Sequence, residues 1–435
     1  MSLVEAAAAS DERFAHRVGT TRLRVLDPAG RPRAGELVTV AQEAHAFGFG
    51  CTGADLQHLA GVGAEGGPRD DATAATVMEQ WLGLFDTATL PFYWARFEPV
   101  EGRPDTDRML RAAQWFVDRG VTVKGHPLLW HTLAPAWLLG RSDGEVEDAI
   151  RARITRDVTR FAGLVDLWDA INEVVILPVF DHEDNAVTRL AQTRGQVETA
   201  RLAFDTARAA NPQARLVLND FDLSEDYEHL IEDCLEAGVR IDALGLQTHM
   251  HQGFRGTEAI ERILDRFARF GLPLQLTETS LVSGDLMPPE IVDLNDYQVD
   301  DWPSTPEGEE RQARELVAHY ETVVAHPAVE SLTYWGMTDA TAWLGAPSGL
   351  VRRDGTAKPA YDALRERVRG QWWLPATTVR TDEDGTVVVR GFAGRYAVAA
   401  GVGPDRAVAG SGHPLPGGAT VEVTPGENRT DVVVG

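Results

Sequence analysis

Two stretches of this chain read Trp168-Asp169-Ala170-Ile171-Asn172-Glu173 and Leu274-Gln275-Leu276-Thr277-Glu278. Each runs an apolar, strand-like segment directly into a glutamate. Short apolar runs are typical of strands that are buried on both faces, as in a parallel sheet. The two stretches therefore predict two buried strands, each with a carboxyl group at its carboxyl end.

The same pattern repeats from about residue 45 to 368, where short apolar runs alternate with longer amphipathic segments. The predicted strands are 47–50, 85–90, 121–126, 165–172, 215–220, 243–249, 274–278 and 332–335. The predicted helices are 71–83, 105–119, 145–162, 196–210, 224–237, 257–270, 306–326 and 358–369. Helix stop signals stand at Gly120, Asn211-Pro212, Gly238, Gly271 and Pro327. Eight strand and helix pairs predict an α/β fold, a (β/α)8 TIM barrel.

Polar residues close six of these strands. They are His126, Asn172 with Glu173, Asn219 with Asp220, Gln247 with His249, Glu278 and Trp335. One such residue is usually the solvated rim of a strand, but the catalytic groups of this barrel come from the C-terminal ends of several strands. Two carboxyl groups about 5 Å apart can serve as acid/base and nucleophile of a retaining glycosidase. The set as a whole favours a sugar site.

Acidic residues outnumber basic ones, 66 to 41, which gives a formal net charge of −25. This charge repels phosphate backbones and anionic lipids, so we expect neither nucleic acid nor a membrane as a partner. Solubility explains the charge equally well. Cys51 and Cys234 are too few for a disulfide framework and lack the spacing of a metal site. Residues 1–14 show no secretory signal pattern, so we expect a cytoplasmic protein.

Seven motifs follow one another along the predicted barrel. They are Trp94-Ala95-Arg96-Phe97-Glu98-Pro99, Gly125-His126-Pro127-Leu128-Leu129-Trp130-His131, Trp168 to Glu173, Leu218-Asn219-Asp220, Gly245-Leu246-Gln247-Thr248-His249, Thr277-Glu278 and Tyr334-Trp335-Gly336. As a set, they resemble the family 10 glycoside hydrolases, chiefly xylanases, over about residues 45 to 368. The resemblance implies a retaining β-glycoside hydrolase that works by double displacement, with no cofactor and no metal, on an oligosaccharide or small β-glycoside.

The resemblance also implies roles for individual residues. Glu173 corresponds to the general acid/base, Glu278 to the nucleophile, and Asn172 to the residue that holds the sugar 2-OH. The other residues implied to bind substrate are His126, Trp130, Gln247, His249, Trp335 and Trp343. An indole face suits the apolar face of a pyranose. His131 and His251 stay unassigned.

Three places depart from the family pattern. Residues 89–94 read Thr-Leu-Pro-Phe-Tyr-Trp where xylanases carry an acidic-amide pair and a lysine that bind the distal sugar. Leu133 replaces a glutamine, and Thr279-Ser280 replaces the segment with the aspartate that follows the nucleophile. A site built around such hydrogen bonds discriminates strongly between substrates when the bonds are lost. The alternative substrates that stay open are a short oligosaccharide, a different sugar or a glycoside with an apolar aglycone.

We expect β-1,4-xylan-derived oligosaccharides or related β-glycosides as substrates. The alternative is an exo-acting β-glycosidase or diglycosidase that acts on small non-xylan glycosides. A remoter alternative is a metal-dependent barrel hydrolase that uses His249 and His251, since His-x-His at a strand end can bind zinc. A carbohydrate-binding protein with an inactive barrel is a further possibility, against which the two glutamates argue.

Both ends of the chain predict β-structure. Residues 19–44 alternate around a turn at 27–30, which predicts a β-hairpin, and residues 375–435 predict short strands separated by turns. We therefore divide the chain into an N-terminal β-hairpin extension (1–44), a catalytic barrel (45–370) and a small β-sandwich-like domain (371–435) with a structural role. We expect a surface loop at 61–67 and, at 284–305, either a lid or a solvated acidic loop.

Overall fold

The computed structural model describes residues 2–54, 56, 71–401 and 418–435. Its strands are β1 (Ser2–Glu5), β2 (Val18–Leu26), β3 (Leu37–His45), β4 (Gly48–Thr52), β5 (Thr87–Pro91), β6 (Thr122–His126), β7 (Leu167–Asn172), β8 (Arg215–Asp220), β9 (Ala243–Met250), β10 (Leu274–Leu281), β11 (Val329–Tyr334), β12 (Thr377–Arg380), β13 (Thr386–Phe392), β14 (Gly394–Ala400), β15 (Ala419–Val423) and β16 (Gly426–Val433). Its α-helices are α1 (Asp71–Leu82), α2 (Trp94–Phe97), α3 (Thr106–Val117), α4 (Asp143–Phe161), α5 (Ala186–Arg194), α6 (Gln196–Ala210), α7 (Glu225–Glu236), α8 (Thr257–Ala268), α9 (Pro306–Ala325) and α10 (Pro359–Glu366).

Strands β4 to β11 form a closed barrel in which neighbouring strands are parallel. The ring closes between β11 and β4, where Leu332 is paired with Phe49. The strands are buried along most of their length, as expected for parallel strands covered by helices. All eight predicted strands are present with small shifts at their ends, so the predicted (β/α)8 TIM barrel is confirmed.

The helices around the barrel follow from local sequence. In α8, Ile260, Leu264 and Phe267 recur on one face and are all buried there. Ser142 and Glu145 form a capping box at the start of α4. Helix α5 is not foreseen by the sequence pattern, although Asn185 caps it by accepting a hydrogen bond from the backbone N of Thr188 at 2.7 Å. None of the helices in the described ranges is long and apolar enough to cross a bilayer.

The two ends of the chain combine into two four-stranded sheets. One sheet has the order β1-β13-β2-β16 and the other β12-β3-β14-β15. The predicted hairpin of residues 19–44 is therefore wrong as a pairing, because β2 and β3 lie in different sheets and take most of their partners from the C-terminal strands. Residues from both sheets share one buried apolar cluster, so the N-terminal strands complete the β-sandwich. The predicted loop at 61–67 lies outside the described residues.

This β-sandwich packs against the N-terminal end of the barrel. The ring of Trp372 lies 5.5 Å from Phe14 and 6.0 Å from Phe49, which is near the start of β4. Arg17 donates to the backbone oxygens of Val324 and His326 just before β11. The C-terminal ends of the barrel strands, six of which carry the predicted polar residues, therefore face the other way.

Candidate active site

The two glutamates stand at the C-terminal end of the barrel. Glu173 follows β7 directly and adopts a left-handed φ of 57°, which is uncommon for a residue with a side chain. Its backbone N donates to the oxygen of Asn219 at the end of β8, at 2.8 Å, and this bond helps to hold the turn. Glu278 lies within β10, beside a register irregularity with β9. Such conformations cluster at functional sites because the surrounding structure must hold them.

Three amide side chains connect the two carboxyl groups. Asn219 Nδ2 donates to Glu278 Oε1 at 3.1 Å and to Asn172 Oδ1 at 2.7 Å. Gln247 Nε2 donates to the same Asn172 oxygen at 3.1 Å and to Glu173 Oε1 at 3.3 Å. Asn172 Nδ2 is buried and has no hydrogen-bond partner among the described residues. The network therefore fixes both carboxyl groups and presents one free donor between them.

The carboxyl group of Glu173 is held among aromatic neighbours. Trp130 Nε1 donates to its Oε2 at 2.7 Å, and His131 Nε2 lies 3.7 Å from the same oxygen. Burial, followed by the charge on Glu278, raises the pKa of Glu173 to about 8. Burial also lowers the pKa of His131 to about 3, which makes this ring neutral. Glu173 can thus carry a proton near neutral pH.

The carboxyl group of Glu278 is flanked by two imidazoles. His249 Nε2 lies 3.2 Å from Glu278 Oε2 within hydrogen-bond geometry, and its Nδ1 lies 2.9 Å from Ser280 Oγ. His126 Nε2 lies 3.8 Å from the other oxygen, Oε1. Both rings are therefore oriented from two sides, by Glu278 and by a second polar partner.

The second partner of His126 is a buried ion pair that the sequence pattern does not reveal. Asp169 Oδ2 lies 2.8 Å from His126 Nδ1, and Asp169 Oδ1 lies 2.8 Å from Lys124 Nζ. Burial by itself would raise the pKa of Asp169, but Lys124 and His126 outweigh it and hold the pKa below its usual range. The sequence shows only that Lys124 and Asp169 are charged residues inside predicted strands, and not that they pair.

Aromatic rings surround the two carboxyl groups. Trp335 lies 5.2 Å from His126 between ring centroids, and Trp343 lies 5.1 Å from His249. Tyr93 lies 5.8 Å from His126 and 5.7 Å from Trp130. These aromatic rings are partly exposed, so they can take the flat face of a ligand.

The structure brings all the predicted site residues together. They are Glu173, Glu278, His126, Trp130, Asn172, Gln247, His249, Trp335 and Trp343. Tyr93 and His131 join them, although neither is assigned a role from the sequence. Within the described ranges, no group of three or more His, Cys, Asp or Glu side chains is arranged to hold a metal ion.

Comparison with known proteins gives the family of this chain. The family model "Glycosyl hydrolase family 10" matches residues 89–367, which is most of the barrel. The chain belongs to glycosyl hydrolase family 10. It is a glycoside hydrolase.

Individual relatives of this family 10 enzyme are distant. Endo-1,4-beta-xylanase B of Thermotoga neapolitana is 28% identical over 295 residues, covering 63% of this chain and 77% of that protein. Anti-sigma-I factor RsgI6 of Acetivibrio thermocellus is 24% identical over 389 residues, covering 88% of this chain and 45% of that protein. The crystal structure of xylanase 10B from Thermotoga petrophila, in complex with xylobiose, superposes with a TM-score of 0.60 at 22% identity, covering 74% of this chain and 94% of that one. This last similarity shows the shared fold.

The structure shows the surroundings of two places where this family 10 enzyme departs from the family's sequence pattern, residues 89–94 and Leu133. Thr89 and Leu90 are buried, at 3% and 0% exposure, so neither presents a polar group to a ligand. Tyr93, from the same segment, is the residue that reaches the site. Leu133 has a left-handed φ of 57° and its oxygen accepts a hydrogen bond from the backbone N of Ala95, so it shapes a turn.

Proposed function

We propose that this family 10 enzyme is a retaining β-glycoside hydrolase in which Glu173 is the general acid/base and Glu278 is the nucleophile. The observation that carries the proposal is the asymmetry between the two carboxyl groups. Burial and the nearby charge raise the pKa of Glu173 to about 8, which suits a proton donor near neutral pH. Glu278 accepts a hydrogen bond from Asn219 and lies beside two imidazoles, which suits an ionised nucleophile.

The reaction then proceeds in two displacements. In the first, Glu278 attacks the anomeric carbon while Glu173 donates its proton to the glycosidic oxygen, which leaves. In the second, Glu173 takes a proton from a water molecule, and this water displaces Glu278 from the sugar. The free Nδ2 of Asn172 is placed to donate to the 2-OH, a contact that strengthens as positive charge develops on the sugar.

The substrates that we propose are β-1,4-xylan-derived oligosaccharides or related β-glycosides. The support is membership of the family and the names of relatives such as endo-1,4-beta-xylanase B. The partly exposed indoles of Trp335 and Trp343 offer faces that fit the apolar side of such sugars. No cofactor takes part in this chemistry.

A second candidate is an exo-acting β-glycosidase or diglycosidase for small non-xylan glycosides. The observation in its favour is the segment of residues 89–94, which buries Thr89 and Leu90 and places the ring of Tyr93 against His126 and Trp130. In this segment the aromatic ring of Tyr93 takes the place of polar groups that would bind further sugars of an oligosaccharide. Products from xylotetraose, measured beside hydrolysis of an aryl β-xyloside and an aryl β-xylobioside, separate the two candidates. Cleavage of xylotetraose supports the first. Release of the aglycone from one aryl glycoside, with xylotetraose left intact, supports the second.

Variants of the two glutamates test the proposed roles. We expect Glu278→Ala to lower kcat by at least about a thousandfold on every substrate, because no covalent intermediate forms. Glu173→Ala should lose far less activity on an aryl glycoside with an acidic leaving group, which needs no proton, than on an oligosaccharide. Azide should accelerate the Glu173→Ala variant and yield a β-glycosyl azide.

The matched control is Glu183→Ala, which removes an exposed glutamate from the segment after β7, the strand that Glu173 follows. This variant should behave as the parent. Hydrolysis by Glu278→Ala at the rate of the parent would disprove the nucleophile assignment.

A further inference from the structure

Two loops that follow the glutamate-bearing strands contact each other. The β7 loop (residues 174–185) and the β10 loop (residues 282–305) meet where His182 Nε2 lies 3.0 Å from Asp293 Oδ2. Strands β8 and β9 lie between β7 and β10 in the barrel. The contact, named here the His182–Asp293 bridge, therefore spans the ends of two strands across one side of the barrel mouth.

The β10 loop is anchored and carries its own small core. Val282, Met287 and Trp302 are buried together with Ala346 from the segment after β11. Gln252, from the segment after β9, donates to the backbone oxygens of Pro288 at 2.9 Å and Ile291 at 2.7 Å. Asp293 is thus presented from a folded loop that is fixed on two sides.

The β7 loop is anchored beside Glu173. Gln196 Nε2 donates to the backbone oxygens of Val174 and Val175, at 3.0 and 2.9 Å. The ring of Phe180 packs 4.2 Å from His131, whose Nε2 is 3.7 Å from Glu173 Oε2. His182 follows, with its ring 5.5 Å from Phe180. The His182–Asp293 bridge therefore lies at the end of a series of neighbouring side chains that runs from Glu173 through His131 and Phe180 to His182.

We infer, resting on the proposed function, that the His182–Asp293 bridge closes the leaving-group side of the site and restricts substrates to those with a short leaving group. Glu173 donates its proton to the leaving oxygen, so the leaving group lies against Glu173 and beside His131 and Phe180. A chain that continued in this direction would meet the bridge. A single sugar or a compact aglycone fits in front of it, whereas a polysaccharide must displace it.

The test measures the length of the leaving group that the enzyme releases. Xylohexaose labelled at its reducing end is digested by the parent, His182→Ala and Asp293→Ala, and early products are separated by chromatography. The parent should release its label first in xylose. In both variants, label in xylotriose and longer fragments should rise about fivefold relative to xylose, a modest change because the contact between the two side chains is largely exposed to solvent. Asp184→Ala, which removes an exposed carboxylate from the same loop, should leave the pattern of the parent unchanged.

A second series covers substrates that are not oligosaccharides. Aryl β-xylosides with compact and extended aglycones are compared by kcat/KM, and both bridge variants should favour the extended aglycone relative to the parent. Release of long labelled fragments by the parent, or unchanged patterns in both variants, would overturn the inference while leaving the proposed function standing. Hydrolysis of neither series by the parent would overturn the proposed function and the inference with it.

Discussion

At the scale of single residues, Glu173 and Glu278 have the same side chain in different surroundings. Glu173 receives hydrogen bonds from an indole and one amide. Its side chain is 14% exposed and lies near another carboxyl group. Desolvation and like charge both favour a protonated carboxyl group. The acid role that we propose for Glu173 thus rests on its environment, and two predictions test that environment.

The first prediction concerns stability and pH. The folded-state pKa of Glu173, about 8, lies above the ordinary value of 4.5. Between these values the folded chain holds a proton that the unfolded chain has released, so the free energy of unfolding falls as pH rises. The Glu173→Gln variant has no carboxyl group at this position, so its free energy of unfolding does not fall for this reason. As the pH is raised from about 5 to about 8, the melting temperature of the variant minus that of the parent should increase by about 2 °C or more. A constant or shrinking difference would contradict the raised pKa.

The second prediction concerns the pH dependence of catalysis. Trp130 Nε1 donates to Glu173 Oε2, which favours the ionised carboxyl group and lowers its pKa. Trp130→Phe removes this donor, so the pKa of Glu173 should rise. The alkaline limb of kcat/KM, where the acid loses its proton, should then move to higher pH by about one pH unit.

The matched control is Trp115→Phe in α3, where the indole stacks with Arg119 on the outside of the barrel. It should leave the alkaline limb where it is. A limb that stays in place or moves to lower pH in Trp130→Phe would show that Glu173 is not the titrating acid.

The sequence is informative about side chains that end a strand and less so about their supports. Glu173, Asn172 and Gln247 stand out because each closes an apolar run. Asp169 lies inside such a run, and its pairing with Lys124 depends on which strands are neighbours in the barrel. Side-chain networks of this kind follow from tertiary structure, so a linear pattern does not show them.

At the scale of elements, a buried ion pair holds the segment that carries Trp335 and Trp343. Lys358 Nζ lies 2.8 Å from Asp339 Oδ1 and 2.9 Å from Ser283 Oγ, and Lys358 is fully buried. Asp339 Oδ1 also accepts a hydrogen bond from the backbone N of Gly349 at 2.9 Å. The pair therefore ties the segment between β11 and α10 to the β10 loop.

The third prediction is the cost of breaking this pair. Lys358→Met should lower the free energy of unfolding by about 3–5 kcal/mol, because Asp339 would be left buried without its partner. Urea denaturation of both chains measures the difference. Arg365→Met, on the exposed face of α10, serves as the control and should cost less than about 1 kcal/mol. A similar small cost for Lys358→Met would show that the segment does not depend on the pair.

Strands and helices could be predicted from local sequence patterns. The pairing of strands that lie far apart in the sequence could not. All eight barrel strands follow from apolar runs, since each is buried by helices adjacent in sequence. The hairpin at 19–44 fails because β2 pairs with β13 and β16, which lie at the other end of the chain. Alternation identifies a strand but does not identify its partner.

At the scale of the whole molecule, the site and the β-sandwich lie at opposite ends of the barrel. The sandwich covers the N-terminal ends of β4 and β11 through Trp372 and Arg17. A structural role for the C-terminal strands stays a prediction. The fourth prediction follows from the shared sheets.

A chain that ends at residue 374 lacks β12 to β16 and leaves β1, β2 and β3 without the strands that they pair with. We expect this chain to be largely insoluble or to lose cooperative unfolding, because unpaired edges and apolar side chains become exposed. Gel filtration and thermal circular dichroism, with the full chain treated in parallel, measure this. A truncated chain that is soluble and as active as the full chain would contradict it.

In the proposed mechanism, Glu278 forms a covalent bond to the sugar. The most direct measurement is mass spectrometry of the enzyme after inactivation by a 2-deoxy-2-fluoro aryl β-glycoside, which slows hydrolysis of the intermediate. We expect the mass of one fluorinated sugar on the peptide that contains Glu278, and no such label in Glu278→Ala. A label on Glu173 or on another residue, or an active enzyme that inverts the anomeric configuration without any label, would contradict this mechanism.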